Sequence, residues 1–446
     1  MRKSLKIAVY HNLPSGGGKR WLYDCLSGLS KRHTIDVYAP SNVIDPQFAD
    51  VTPLASRTHE VPFRALPRLP FWRAHSPQRL IDLLRFDGVS RKIARLIDAG
   101  GYDLALATSC RFTEAPLVLR HLRTPSVYYC HEVMRSLYEP RHRRPYYPSG
   151  VLSPLLALWM TPYQALVRRW DAQNVRKASL VVTNSHYVRE AVYRVYGAFA
   201  RVNYPGVDVD AFQPNGSAER EHLVVCVGEL RPHKAFDCAL ETIAQIPASL
   251  RPRLAIVANS VDEREKSYVQ ALAAERGVLL TICERIPGEE VKKLYQRAKL
   301  TLYTSIMEPF GLVVLESMSS GTPVVGVREA GIRETVVDSV TGFLVERDPR
   351  RLAEAVQRLL EDEELRARMG AASRRYVLDN WTWDRSISEL ESMMVEIAES
   401  GGAVVAATAG RSRAVHEDVT ERVRPAAMTL APAPTSDRRD AKEESR

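Results

Sequence analysis

The sequence predicts an α/β protein made of two tandem doubly wound, Rossmann-like domains followed by a disordered C-terminal tail. Three observations carry that expectation. Short apolar runs alternate with helix-period stretches through most of the chain. The runs lack polar alternation, as parallel strands buried on both faces do. At 446 residues the chain is also too long for one ordinary domain.

In the first half the expected strands are Leu5–Tyr10, Thr34–Ala39, Tyr102–Thr108, Pro125–Cys130 and Leu180–Asn184. After the first strand comes "HNLPSGGGKRWLYD" (His11–Asp24), a glycine turn entering a helix with apolar Trp21, Leu22, Cys25, Leu26 and Leu29. It is not a P-loop, because Leu13 and Arg20 stand where Gly and Ser or Thr are needed. Nor is it a dinucleotide fingerprint, because Trp21 takes the last glycine position. The turn either lets an anionic ligand approach backbone at a helix N-terminus or simply connects strand to helix. Lys19 and Arg20 read as surface charges at the helix start.

The second half offers strands at His222–Gly228, Arg253–Ala258, Leu279–Cys283, Leu300–Ser305, Thr322–Val327 and Gly342–Val345, with helical patterns such as Val291–Ala298 and Leu352–Leu360. Pro and Gly cluster in Asn203–Ser217, which sets the joint. The expected domains are 1–205 and 206–379, with a helix at 380–398 returning to the first. From 401 to 446 the chain is small, charged and Pro-containing, and reads as disordered.

Hydrophobic residues at 45% and charged residues at 26% describe a soluble globular protein. Six cysteines with no C-x-x-C pair suit reduced thiols better than disulfides or zinc. The expected location is the cytoplasm, since the opening apolar run is too short for a signal peptide and no stretch qualifies as a membrane span. The +9 formal charge comes with no helix-turn-helix or RNA-reading motif, so nucleic acid is not the expected partner. One basic region, Arg141–Trp170, sets an apolar aromatic segment between two cationic clusters. Pro154 and Pro162 argue against an uninterrupted membrane helix there. It reads either as a segment docking on the inner membrane surface or as a core helix pair with solvated ends.

Chemistry concentrates in "SIMEPFGLVVLESMSSGTPVVGVREAGIRETVVDSVTGFLV" (Ser305–Val345). Glu308 falls in the loop before a helix and Glu316 about two turns inside it, with Pro309 suited to the first turn. The amides of Phe310, Gly311 and Leu312 lie between. Carboxylates accept from sugar hydroxyls, while amides at a helix N-terminus suit a diphosphate. Upstream, "VCVGELRPHKAFD" (Val225–Asp237) presents Arg231 and Lys234 beyond a strand end, where fixed cations can neutralise a departing diphosphate without a metal.

Together E-P-F-G-L-x-x-x-E, R-P-x-K, the early glycine turn and "TNSHYVRE" resemble the family 4 retaining glycosyltransferases of GT-B architecture, over roughly residues 5–395. The R-P-x-K and the glycine run point to the mannosyltransferase-like branch. The resemblance implies metal-independent transfer with retained configuration, a nucleotide sugar in the second domain and an acceptor on the first. It implies that Glu316 holds ribose and Glu308 the donor sugar, with Arg231 and Lys234 on the diphosphate. It places Phe310, Gly311 and Leu312 on sugar and phosphate, and Gly16 and Gly17 where the first domain closes on the diphosphate. His131, in "VYYCHEVMRS", matches the family's active-site histidine and is expected to orient a substrate. Ser185 reads as a helix cap.

Two departures stand out: Glu229 replaces a frequent arginine, and Ala330 in "EAGIRE" replaces a frequent glycine. The D-x-D of Asp208 and Asp210 lies in the interdomain segment and reads as structural, so no metal or other cofactor is expected. The leading function is hexose transfer from GDP-mannose to a glycan or lipid-linked acceptor. UDP-glucose and UDP-N-acetylglucosamine are the alternative donors; a sugar-nucleotide epimerase and an inactive glycan-binding protein are the alternative functions.

Overall fold

The computed structural model describes residues 4–401 apart from 14–15, 42–48, 68–77, 140–151 and 217–218. The tail expected at 401–446 lies, past its first residue, outside the described residues. In the first half, β1 (Lys6–Asn12) leads into α1 (Gly17–Leu29), then β2 (Thr34–Pro40), β3 (Arg57–Val61), α2 (Gln78–Ala99) and β4 (Leu104–Cys110). β5 (Ser126–Cys130), the one-turn α3 (Arg135–Tyr138), α4 (Leu152–Val175), β6 (Leu180–Thr183), α5 (His186–Tyr196) and β7 (Ala200–Val202) complete it. These strands form one sheet in the order β3-β2-β1-β4-β5-β6-β7, and every pairing is parallel.

The second half repeats the plan with β8 (Glu221–Val227), α6 (Phe236–Gln245), β9 (Arg253–Ala258), α7 (Glu263–Glu275), β10 (Leu280–Glu284), α8 (Gly288–Arg297) and β11 (Ala298–Tyr303). It continues through α9 (Leu312–Ser319), β12 (Val324–Val327), α10 (Ile332–Thr335), β13 (Gly342–Val345), α11 (Pro349–Glu361) and α12 (Glu363–Asn380). Its sheet runs β10-β9-β8-β11-β12-β13, again parallel throughout. In both sheets the order reverses beside the first strand, at β1/β4 and at β8/β11. Helices on opposite faces leave a crevice at such a reversal, beyond the carboxyl ends of the strands. Both sheets belong to one compact unit, Met1–Ala403.

The last helix, α13 (Trp383–Glu399), leaves the second sheet and lies on α1 of the first. Ile387, Leu390, Met394 and Ile397 share a buried cluster with Trp21, Leu22, Leu26 and Leu29. Fully burying each such aliphatic side chain stabilises by about 2 kcal/mol. Where the chain crosses between sheets, the Val207 amide donates to the Trp381 carbonyl at 2.9 Å. Nearby, Asn203 Nδ2 donates to Ser386 O, also at 2.9 Å. The two crossings therefore lie side by side.

Two strands, β3 and β7, were not expected from the sequence. Both are sheet edges, β3 reads "RTHEV", and β7 has three residues. Edge strands need not be apolar on both faces, so no continuous run marks them. The segment 141–170 falls partly outside the described residues. What is described is a single helix, α4, continuous through Pro162, so the prolines do not divide it into a pair. Among the described residues no helix is long and apolar enough to cross a membrane.

Candidate active site

Between the two sheets lies a cleft of about 1200 Å³, lined from both sides. The second domain supplies a wall of paired charges. After β8 the chain makes a short turn, Pro232–Lys234, and this turn is tied to the loop after β11. The Ile306 amide donates to His233 O at 2.8 Å, and Thr304 Oγ1 donates to Ala235 O at 2.9 Å. That tie brings Lys234 Nζ to 2.7 Å from Glu308 Oε2. Burial alone would raise the Glu308 pKa, but the Lys234 charge and hydrogen bond, with His233 and Arg135, hold it below the ordinary carboxylate value. Glu308 is therefore a carboxylate with one oxygen already satisfied by an ammonium.

Glu316 lies on α9, whose N-cap is Gly311 at φ 91°. That left-handed conformation suits glycine, and a Cβ there would meet Tyr303 Oη at 3.1 Å. The helix starts at Leu312, so Pro309 sits in the preceding loop and not in the first turn. Glu316 is the fifth helical residue, just over one turn inside and not two. It is 5% exposed, and Tyr295 Oη donates to its Oε2 at 3.0 Å. Phe310, Gly311 and Leu312 all line the cleft, while the Phe310 ring packs near Tyr204 and Trp381.

The first domain supplies mostly backbone and uncharged groups. Gly16 and Gly17 line the cleft at the N-terminus of α1. A Cβ on Gly16 would come within 3.9 Å of Glu229 on the opposite wall, whereas one on Gly17 would meet nothing within 4 Å. The Gly17 backbone is thus open to a ligand. Behind the turn His131 packs edge-on against Trp21 at 4.9 Å. Burial pushes its pKa down to about 4, so the imidazole is neutral. Its Nε2 is shielded from solvent and has no hydrogen-bond partner among the described residues. Asn184 Nδ2 donates to the His131 carbonyl at 2.9 Å, which fixes the corner after β5.

The expectation for Lys19 and Arg20 is corrected. Lys19 is 2% exposed, and Arg20 reaches across the cleft to donate from Nη1 to Glu316 Oε1 at 2.6 Å. Arg20 also lies over the Phe212 ring at 5.6 Å. Sequence spacing gave no sign of a bond between residues 296 positions apart. Arg231 lies apart from the other expected site residues. Its side chain is 45% exposed, pairs with Glu229 at 3.2 Å and is not among the residues lining the cleft. Lys234, His131, Glu308, Glu316 and the glycines meet in the cleft; Arg231 does not join them.

Two contributors were missed. Arg135, on α3, lines the cleft; its Nε donates to Glu139 at 2.6 Å and its Nη2 to Ile306 O at 2.8 Å. A cation just past a strand end in "HEVMR" was the available signal. Glu334, on α10, accepts from the His186 and Tyr187 amides at 2.8 and 2.9 Å and from Tyr204 Oη at 2.7 Å. It therefore satisfies the N-terminus of α5 from the other domain. Ser185 caps that same helix and donates to Pro309 O at 2.7 Å, so the cap also joins the domains. Ala330 takes a left-handed φ of 49°, the conformation for which a glycine is frequent there. Asp208 Oδ1 accepts from the Asp210 and Ala211 amides at 3.1 and 2.9 Å, which makes a local turn. Among the described residues no group of three or more His, Cys, Asp or Glu is placed to hold a metal ion.

Two facing doubly wound sheets with a cleft between their carboxyl ends define the GT-B fold. The family models agree: residues 15–211 match Glycosyltransferase Family 4 and residues 209–376 match Glycosyl transferases group 1. The chain belongs to the family 4 glycosyltransferases. It is 32% identical over 251 residues to the D-inositol 3-phosphate glycosyltransferase of Geodermatophilus obscurus, covering 51% of this chain and 55% of the relative. It is 30% identical over 228 residues to a GDP-mannose-dependent alpha-(1-6)-phosphatidylinositol monomannoside mannosyltransferase of Mycolicibacterium smegmatis, covering 46% and 59%. The chain thus spans about half the length of the curated relatives it matches. Among solved structures, HepE of Anabaena in complex with UDP and glucose aligns with a TM-score of 0.66 at 18% identity, over 88% of this chain and all of that one.

Proposed function

We propose that the protein is a retaining hexosyltransferase that moves mannose from GDP-mannose to a glycan or lipid-linked acceptor. The observation that carries this reading is the Lys234–Glu308 pair facing the Gly16–Gly17 turn across one cleft. A nucleotide sugar laid along α9 puts ribose hydroxyls at Glu316 and sugar hydroxyls at the free oxygen of Glu308. Its diphosphate then falls between Lys234 and the open backbone of Gly17. As the bond from the anomeric carbon to the diphosphate breaks, negative charge grows on the leaving oxygen. A fixed ammonium in a partly dry cleft stabilises that charge with little reorganisation. Because Lys234 supplies this charge, transfer is expected to proceed in EDTA. The name of the Mycolicibacterium smegmatis relative supports a GDP-mannose donor and a phosphatidylinositol-based acceptor, and that of the Geodermatophilus obscurus relative an inositol phosphate acceptor.

The donor is tested by thermal unfolding with GDP-mannose, GDP-glucose, UDP-glucose and UDP-N-acetylglucosamine. GDP-mannose should raise the unfolding temperature most; no shift with any of them removes the transferase reading. Residues 141–170 are proposed to touch an anionic membrane surface on the cytoplasmic side, through basic clusters flanking an apolar segment. Co-sedimentation with phosphatidylserine vesicles at low salt, lost at high salt, is the expected result.

A further inference from the structure

Glu316 is the carboxylate on which the donor's ribose is placed, yet both of its oxygens are already bonded. Tyr295 Oη donates to Oε2 at 3.0 Å, and Arg20 Nη1 donates to Oε1 at 2.6 Å. With these partners in place the Glu316 side chain is 7% exposed. Ribose hydroxyls therefore reach it only where a partner gives way. Tyr295 is fully buried and shares its cluster with Phe212, Val314 and Leu315, so it stays. Arg20 can move. Its side chain is 40% exposed and stands at the start of α1, in the other domain.

A second anion lies beside it. Asp24, one turn further along α1, has Oδ2 3.9 Å from Arg20 Nε, beyond hydrogen-bond reach. Residues four apart on a helix are neighbours, so the arginine can pass from Glu316 to Asp24 by side-chain rotation alone. Asp24 is not among the residues lining the cleft, and an arginine turned toward it leaves the cleft. Burial pushes the Asp24 pKa up to about 6, with Arg20 opposing the rise and Asp208 and Glu316 adding to it. A carboxylate so placed gains when Arg20 comes closer.

We propose that Arg20 and the donor's ribose compete for Glu316, and that Asp24 takes the arginine when ribose binds. The contact is an autoinhibitory latch between the domains. An anion without the ribose diol can meet Lys234 and the Gly17 backbone but offers Glu316 nothing in exchange for Arg20. Only a whole nucleotide opens the latch. A contact made about 90% of the time lowers apparent affinity about tenfold.

The inference rests on the donor reading, which places ribose at Glu316, and the test separates the two. The probes are GDP and UDP, each with its 2′,3′-dideoxy form, titrated calorimetrically into the full-length protein. In Arg20→Ala the diphosphate that binds should tighten about tenfold, while its dideoxy form changes by less than about threefold. The dideoxy comparison cancels any contact of Arg20 with the phosphates. Asp24→Asn should act in the opposite direction, weakening the diol form about threefold and leaving the dideoxy form unchanged. Opposite shifts from two residues on one helix turn are not what a loss of fold produces. An Arg20→Ala variant whose preference for the diol equals or falls below that of the wild type overturns the competition. An unchanged Asp24→Asn variant overturns the exchange. Either result leaves the donor reading standing, whereas no binding of GDP or UDP to the wild type overturns both.

Discussion

The two walls of the cleft solve the same problem, holding a polar ligand, in opposite ways. The second domain presents charges already paired with one another: Lys234 with Glu308 at 2.7 Å, and Glu316 held by Tyr295. The first presents open backbone at Gly17, a neutral His131 and an unpaired Glu132. Paired charges are oriented before a ligand arrives, so they lose little on binding and suit a part of the substrate that is always the same. Uncompensated polar groups gain most when a partner supplies the missing hydrogen bonds, and they suit the part to be selected. Two exceptions break the contrast: the Arg20–Glu316 bond anchors a first-domain cation in the charged wall, and Arg135 pairs with Glu139 on the first-domain side.

The largest expected effect breaks the charged wall. Lys234→Ala should lower turnover by about 100- to 1000-fold and also lower the unfolding temperature, because Glu308 is left buried without its cation. Lys234→Met with Glu308→Leu should recover the stability and not the turnover, as read by calorimetry and donor hydrolysis. Recovery of both would show that the pair is structural. Next, Glu316→Ala should weaken nucleoside diphosphate binding by about 10- to 100-fold in a titration, since hydrogen bonds to a charged group are removed. It also releases Arg20, so salt dependence of the binding should change. Unaltered affinity would place the ribose elsewhere.

The third comparison sets Lys234 against Arg231, three residues earlier and 45% exposed against 14%. Arg231→Ala should change turnover by about threefold or less, the scale of an exposed ion pair. A loss near that of Lys234→Ala would mean that Arg231 swings into the cleft when the donor binds. The smallest effect concerns the neutral His131 of the first-domain wall. The His131 ring should titrate near pH 4 by NMR, so it contributes nothing to activity changes above pH 5. A midpoint near the ordinary histidine value would mean that the ring is solvated.

Much of the fold was legible because its signals are local. Eleven strands announce themselves as apolar runs, and most are buried on both faces; the edge strand β10 is only half-buried. The loop position of Glu308 and the helix position of Glu316 were legible from the E-P-F-G pattern, but Pro309 set the helix start too early, because the left-handed Gly311 delays it to Leu312. The site was legible less evenly. Glu308, Glu316 and Lys234 sit near turns whose composition marks them, and all three reach the cleft. Arg231 shares the same turn but points to Glu229, and nothing within the turn distinguishes the two cations. Arg20 sits on an amphipathic helix start and looks solvated until the second domain is placed opposite.

By itself the sequence determined the two parallel sheets, their helices, the glycine turn and the segment that carries Glu308 and Glu316. Each depends on residues within a turn or a strand, where periodicity and backbone preference act. Only the tertiary structure decided which charges find partners. Arg20 joins Glu316, Glu334 caps α5 and Lys234 meets Glu308 through contacts dozens to hundreds of residues apart. The energy of a charge is set by what lies across from it and by how much water remains, and neither is written next to it in the chain.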